Sequence, residues 1–191
     1  MKVTHRCLMA LVLALSCNSV SAQTPSFDRL AEAVAGRLQF ADKVALSKWD
    51  TGKPVEDKEQ EAKVISGVAA LPDAQRLDPA LLRTFFANQI EANKLIQYTL
   101  LADWHRNGRA PDTIRPDLVK EIRPTLARYT ETLVHELDVV SGLRENKDCP
   151  ASLAKAAGNV VVTQKLDRLH SVALDRALAG ICVADTAVKK P

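Results

Sequence analysis

Between residues 26 and 49 apolar side chains recur at Phe27, Leu30, Ala31, Val34, Leu38, Ala41, Val44 and Ala45, the three-and-four spacing of a helix with one buried face. Gly52 and Pro54 end this stretch. Asp57 is placed to cap a second helix, with Gln60 three residues on completing a capping box and Val64, Ile65, Val68 and Leu71 facing inward until Pro72 stops it. Asp78-Pro79 starts a third, because an Asp side chain accepts from free amides and Pro suits the first helical position. That helix is predicted to run to about His105, with Leu82, Phe86, Ile90, Ile96, Leu100 and Trp104 on its buried side. The polar stretch from Asn107 to Pro116 reads as a loop. A fourth helix carries Leu118, Ile122, Leu126, Leu133, Leu137 and Val140, and Pro124 either kinks it or marks its start. Residues 150 to 183 form a last helical region with Leu153, Val160, Leu166, Leu169, Val172 and Leu178 on one face, weakened at the β-branched run Val160-Val161-Val162. No useful strand alternation competes, so the expected fold is all-α, a multi-helix bundle.

The first 22 residues do not belong to that bundle. Lys2 and Arg6 precede an apolar run from Cys7 to Leu15, and Val20 and Ala22 stand where a signal peptidase reads. This is an export signal, too short to span a bilayer, with cleavage expected after Ala22. Cys17 sits in a poor lipidation box, so no lipid anchor is expected. The mature chain, 23 to 191, is expected to be a single domain, periplasmic or secreted.

Export changes the reading of charge and of cysteine. The formal charge of +3 includes Lys2 and Arg6, so the mature chain carries +1, which argues against nucleic acid and against a membrane-binding basic patch. Of 4 Cys, two leave with the leader, and the remaining pair, Cys149 and Cys182, is expected to form one disulfide in an oxidising compartment. Closing a loop of that length stabilises the fold by roughly 3.5 to 4 kcal/mol in the chain-entropy model. Aromatic residues make up only 4% of the chain, which leaves a core of Leu, Val, Ile and Ala.

Polar residues interrupt the apolar stripes at a few positions. Arg37 and Lys48 share the face of Leu30, Val34, Leu38, Ala41 and Val44; at about 100° per residue they return to one side within about 20°, roughly 16 Å apart along the axis. Arg and Lys are seldom buried without a partner, so the pair either brackets an incoming anion or is satisfied by snorkelling or by acids such as Asp57 and Glu61. Asn93 and Gln97 sit four apart on the third helix, Asp57 and Glu61 four apart on the second, and Arg123 opens the fourth. His105, His135 and His170 are not paired at ligand spacing, so no metal site is expected. Lys94 is expected to face solvent, and Arg106, Arg109 and Arg115 to be solvated loop charges.

The run Arg37-Leu38-Gln39-Phe40-Ala41-Asp42-Lys43-Val44-Ala45-Leu46-Ser47-Lys48-Trp49 resembles the first helix of the all-helical chorismate mutases, in their exported, gamma-type subclass. So do Pro54-Val55-Glu56-Asp57 with Glu61, and Gln89-Ile90-Glu91-Ala92-Asn93-Lys94 with Gln97 and Trp104. The likeness extends over nearly the whole mature chain, and Cys149 and Cys182 match that subclass's single disulfide. It implies a shikimate-pathway isomerase that converts chorismate to prephenate with no cofactor, acting as a homodimer in which each chain completes its own site.

The resemblance also implies roles. Arg37 and Arg123 would hold the two substrate carboxylates, Asn93 would assist there, Lys48 and Gln97 would donate to the ether oxygen, and Glu61 would accept from the ring hydroxyl with Asp57 orienting nearby. One position departs from the family: Gln60 stands where Arg is usual. Losing a charged hydrogen bond to a carboxylate costs on the order of 1.5 to 3 kcal/mol unless Lys63 or another cation compensates, which predicts a less efficient enzyme. Gln60 therefore favours the competing reading, a catalytically silent exported helical protein that binds a small carboxylate or a protein partner.

Overall fold

The computed structural model describes residues 25–183; the export signal expected over residues 1–22, with its two Cys, lies outside them. The described residues form α1 (Asp28–Leu38), α2 (Phe40–Thr51), α3 (Lys58–Val68), α4 (Pro79–Asn107), α5 (Arg123–Val139), α6 (Cys149–Thr163) and α7 (Arg168–Leu178), with single 3-10 turns at Asp73–Arg76 and Ser141–Leu143. No strand occurs among them.

α1 is the axis of the bundle. Leu30, Ala31, Ala33, Val34, Ala35, Arg37 and Leu38 are all buried on it, because α5, α6 and α7 close around its sides. The small residues permit that approach: a Cβ on Gly36 would lie 2.7 Å from the Tyr129 hydroxyl of α5. α4 runs 29 residues and packs its length against α7 and α2, with Phe85, Phe86, Ala92 and Ile96 sealed in the core. At its far end Trp104 meets Trp49 of α2 edge to face at 6.1 Å, forming a small second cluster with Ala45 and Leu46.

The predicted helix over 26 to 49 is two helices that bend at Gln39, whose backbone stays in the right-handed helical region. Pro124 resolves as a start: it lies in the first turn of α5, behind one π turn over Leu118–Ile122 whose amides Asp117 caps at 2.8 Å. Asp78 caps α4 at the Ala80 amide, 2.9 Å, with Pro79 in its first turn, as the dipeptide predicts. Asp57 caps α3 at the Gln60 amide, 3.0 Å, but the reciprocal bond to the Asp57 amide comes from Glu61 Oε1 at 3.3 Å rather than from the Gln60 side chain. The Val160 run stays helical within α6, where burial of Val160 against the core outweighs β-branched propensity.

Cys149 and Cys182 are bonded across 33 positions and tie the start of α6 to the segment after α7, so the crosslink joins the ends of the last helical region. Arg106 belongs to α4 and pairs with Asp103. Arg115 is a staple rather than a solvated charge: its Nε donates to Asp50 at 2.9 Å, and Nη1 donates to the carbonyls of Pro111 and Thr113 at 2.9 and 2.7 Å, holding the long loop against α2.

Candidate active site

Five helices leave a cavity of about 390 Å³ between them, lined by all eight of the residues singled out for substrate chemistry. The last turn of α1 brings Arg37, α2 brings Lys48, the cap and first turn of α3 bring Asp57, Gln60 and Glu61, the middle of α4 brings Asn93 and Gln97, and the first residue of α5 brings Arg123. Arg37, Asn93 and Gln97 are buried and form the floor. Lys48, Gln60 and Glu61 are half-buried, whereas Asp57 and Arg123 are exposed at the mouth. The wall thus grades from a desolvated polar base to a charged rim.

Arg37 is the most constrained of these groups. It is 5% exposed, its Nη1 donates to the Gln89 carbonyl over a long 3.5 Å, and its Nε has no hydrogen-bond partner. No acid pairs with it among the described residues, which sets aside the reading of Arg37 as a neutralised core cation. Burial alone pushes its guanidinium down to about 10. A buried donor left unsatisfied is costly, so an anion in the cavity has a waiting partner.

Lys48 donates to the Val55 carbonyl in the connection between α2 and α3. Burial lowers its ammonium from the ordinary lysine value, while Asp57 and Glu61 act to raise it. Gln97 Nε2 donates to Asn93 Oδ1 at 2.6 Å, and Gln97 Oε1 is buried without a partner. An amide nitrogen carries two hydrogens, so one remains for a ligand after Asn93 is served. The Gln60 carboxamide and the Arg123 guanidinium make no hydrogen bond or ion pair with other described residues. Lys63 reaches the cavity rim, where Glu59 holds it at 2.6 Å.

Lys94 corrects an expectation. It lines the cavity rather than facing solvent, with its side chain 13% exposed and its ammonium 2.6 Å from Glu91 and 3.5 Å from Glu61. Its spacing from Ile90 and Gln97, which line the same wall, was the available signal. The Val55 carbonyl carried no signal, since a backbone acceptor has no sequence signature. In all, five cations and three carboxylates line the cavity, an excess of two positive charges.

The family model for chorismate mutase type II matches residues 28–98. Over 153 residues, 80% of this chain and 84% of the relative, the chain is 30% identical to the secreted chorismate mutase of Mycolicibacterium smegmatis. The chain belongs to the chorismate mutase family. Solved chorismate mutase structures agree: the Burkholderia phymatum enzyme superposes with a TM-score of 0.79 at 45% identity, covering 83% of this chain and 96% of that one. The Burkholderia thailandensis chorismate mutase gives the same TM-score at 36% identity, over 83% of this chain and all of the other. These relatives share the bundle in which the cavity is built.

Proposed function

We propose that this cavity binds chorismate and lowers the barrier of its rearrangement to prephenate through fixed charges and substrate conformation, with no covalent bond between enzyme and substrate. The reaction is intramolecular. One carbon–carbon bond forms as the ether carbon–oxygen bond breaks, and no group leaves or enters. The protein's task is to hold the folded diaxial conformer and to meet charge that grows on the ether oxygen.

The observation that carries this reading is the buried, acid-free guanidinium of Arg37 on the floor of a chamber with two excess positive charges. A dianion of small size matches that excess. Arg37 on the floor and Arg123 at the mouth would grip the two carboxylates, with Asn93 assisting. Lys48 and the free hydrogen of Gln97 would donate to the ether oxygen, gaining strength as the bond breaks and so favouring the transition state over the substrate. Glu61 would accept from the ring hydroxyl, and Asp57 would hold the turn that presents it. Gln60 leaves part of the wall neutral, which lowers efficiency without abolishing the reaction.

The apolar leader and the secreted M. smegmatis relative support export, and the disulfide suits an oxidising compartment. Among the described residues no helix is long and apolar enough to cross a membrane. A homodimer with a complete site in each chain and a place in aromatic amino acid biosynthesis chemistry complete the reading. Purified protein should convert chorismate to prephenate, and Arg37→Ala or Lys48→Ala should abolish conversion while leaving helicity by circular dichroism unchanged. Chorismate binding without turnover in the unmutated protein would select the silent carboxylate binder instead.

A further inference from the structure

Lys63 and Lys94 are the cavity cations to which the mechanism above gives no task, and Lys63 is held by Glu59 on its own helix. The surroundings of Lys94 define one. α3 has a single buried residue, Val68, in its last turn, with Val64 and Leu71 packed partly against the core. The turn that bears Asp57, Gln60 and Glu61 lies toward the opposite end, about 10 to 16 Å from Val68 along the axis. The apolar anchors of α3 itself therefore lie C-terminal to the turn that bears the polar residues. The bonds from Asp57 to the Gln60 amide and from Glu61 to the Asp57 amide are internal to the turn, so they shape it without fixing it on the body.

Among the described residues, two polar contacts do fix it. Lys48 donates to the Val55 carbonyl just before α3, and Lys94 reaches from α4 to Glu61 Oε2 at 3.5 Å while Glu91 braces the ammonium at 2.6 Å. The brace matters, because Glu91, three residues earlier on the same helix, holds the lysine against α4 and turns it into a fixed post. Glu91 also keeps the ammonium above the ordinary lysine value, so the post stays charged at any assay pH. Lys48 is expected to turn toward the ether oxygen when substrate is bound. Val55, buried just before the turn, holds the chain that enters it, and Lys94–Glu61 is then the polar contact left to hold the turn itself.

We propose that Lys94 is a positioning residue for the rearrangement: by pairing with Glu61 between α4 and α3, it aims the carboxylate that receives the substrate's ring hydroxyl and fixes the first turn of α3 over the cavity. This inference rests on the chorismate reading of the site. It differs from a role for Lys94 in binding a substrate carboxylate, which would raise KM and would not require Glu61.

The test is a double-mutant cycle in the full chain with Lys94→Met, Glu61→Gln and both together, read as kcat and KM on chorismate with melting followed by circular dichroism. Lys94→Met should lower kcat by about tenfold with KM changed less than about threefold, as expected for lost orientation. In the Glu61→Gln background the same change should cost less than about twofold. Lys94→Arg, which keeps the charge, should stay within about threefold of the unmutated enzyme. Should Lys94→Met unfold, Lys94→Gln takes its place in the cycle. Effects that multiply in an active protein, or a rise in KM alone, would overturn the inference and leave the site assignment standing; an unmutated protein without turnover would overturn both.

Discussion

Replacing Arg37 with Met is expected to make the ligand-free protein more stable while destroying its activity. The guanidinium is 5% exposed, its Nε is unpaired, and no acid neutralises it. Burial pushes it well below the usual guanidinium range, to about 10, which corresponds to a penalty of about 3 kcal/mol for keeping the charge inside the fold. Met fills similar volume without a charge, and such replacements of buried ions gain about 1 to 4 kcal/mol where packing is kept. Some of that gain is lost with the Gln89 carbonyl contact, so a net increase of about 1 to 2 kcal/mol is expected. The sign with pH follows from the lowered value. Arg37 is charged in both states at neutral pH and below, so the penalty is constant there and fades only as pH rises through about 10. Urea unfolding at about pH 6 and about pH 8 should show the same gain for Arg37→Met at both. A dicarboxylate ligand should raise the melting temperature of the unmutated chain and leave that of Arg37→Met in place. If Arg37→Met destabilises the ligand-free protein by more than about 1 kcal/mol, the guanidinium is a satisfied structural group, and the reasoning from its burial fails.

Three further outcomes are expected. Because Gln97 is an amide, turnover should change little between mildly acidic and neutral pH, whereas Gln97→Glu should impose a fall in kcat as pH rises and the new carboxyl loses its donor hydrogen; a steep fall in the unmutated enzyme would remove Gln97 from the ether oxygen. His170 lies between Asp42 at 3.1 Å and Asp167 at 2.9 Å, and the Asp42 hydrogen bond leads in raising it to about 9. The stability it adds is therefore complete below about pH 6.5 and lost as pH rises through about 9, on the order of 2 kcal/mol after screening; a urea midpoint that is flat over this window, or equally steep in Asp42→Asn, would refute it. Gly36→Ala should cost about 1 to 2 kcal/mol and weaken turnover by displacing Arg37, since the new methyl meets Tyr129 Oη at 2.7 Å; the stability penalty should largely vanish in a Tyr129→Ala background, and a penalty that persists there would point to backbone flexibility instead.

How much was legible in the chain depended on whether the signal was local. Asp57, Asp78 and Pro79 announce their helix starts because capping is a short-range matter of orphan amides, and each performs that task in the fold. The cluster of Arg37, Lys48, Asn93 and Gln97 was visible because polar residues stand out against an apolar stripe. The bend at Gln39 was not, since it involves no Gly or Pro and no departure from helical backbone. For Lys94 the spacing from Ile90 and Gln97 gives the cavity face, but its partner Glu61 lies on another helix, and an ion pair across helices has no spacing to recognise. The same holds for Arg115 with Asp50 and for His170 with Asp42, the latter 128 positions apart. Pro124 gave two valid local readings, and the choice between them was made by Asp117, which caps a π turn just upstream and so lets the proline fall in a first turn.

The small residues of α1 and the cationic cavity are parts of one design. Ala31, Ala33, Ala35 and Gly36 let three helices close tightly on α1, and that closeness is what strips water from Arg37 at its last turn. A looser bundle would hydrate the guanidinium, relieve its unpaired Nε and weaken its pull on a carboxylate, because the same contact is worth less in a higher dielectric. Glu61 is meanwhile kept from neutralising it, drawn instead to Lys94 of α4 and to the Asp57 amide at the start of α3. Tight packing and the segregation of acids thus leave an uncompensated positive charge in a dry place, and the core and the Cys149–Cys182 crosslink must offset its cost. On the chorismate reading, that is the condition for gripping a substrate carboxylate strongly, and stability and activity are therefore expected to move in opposite directions at Arg37.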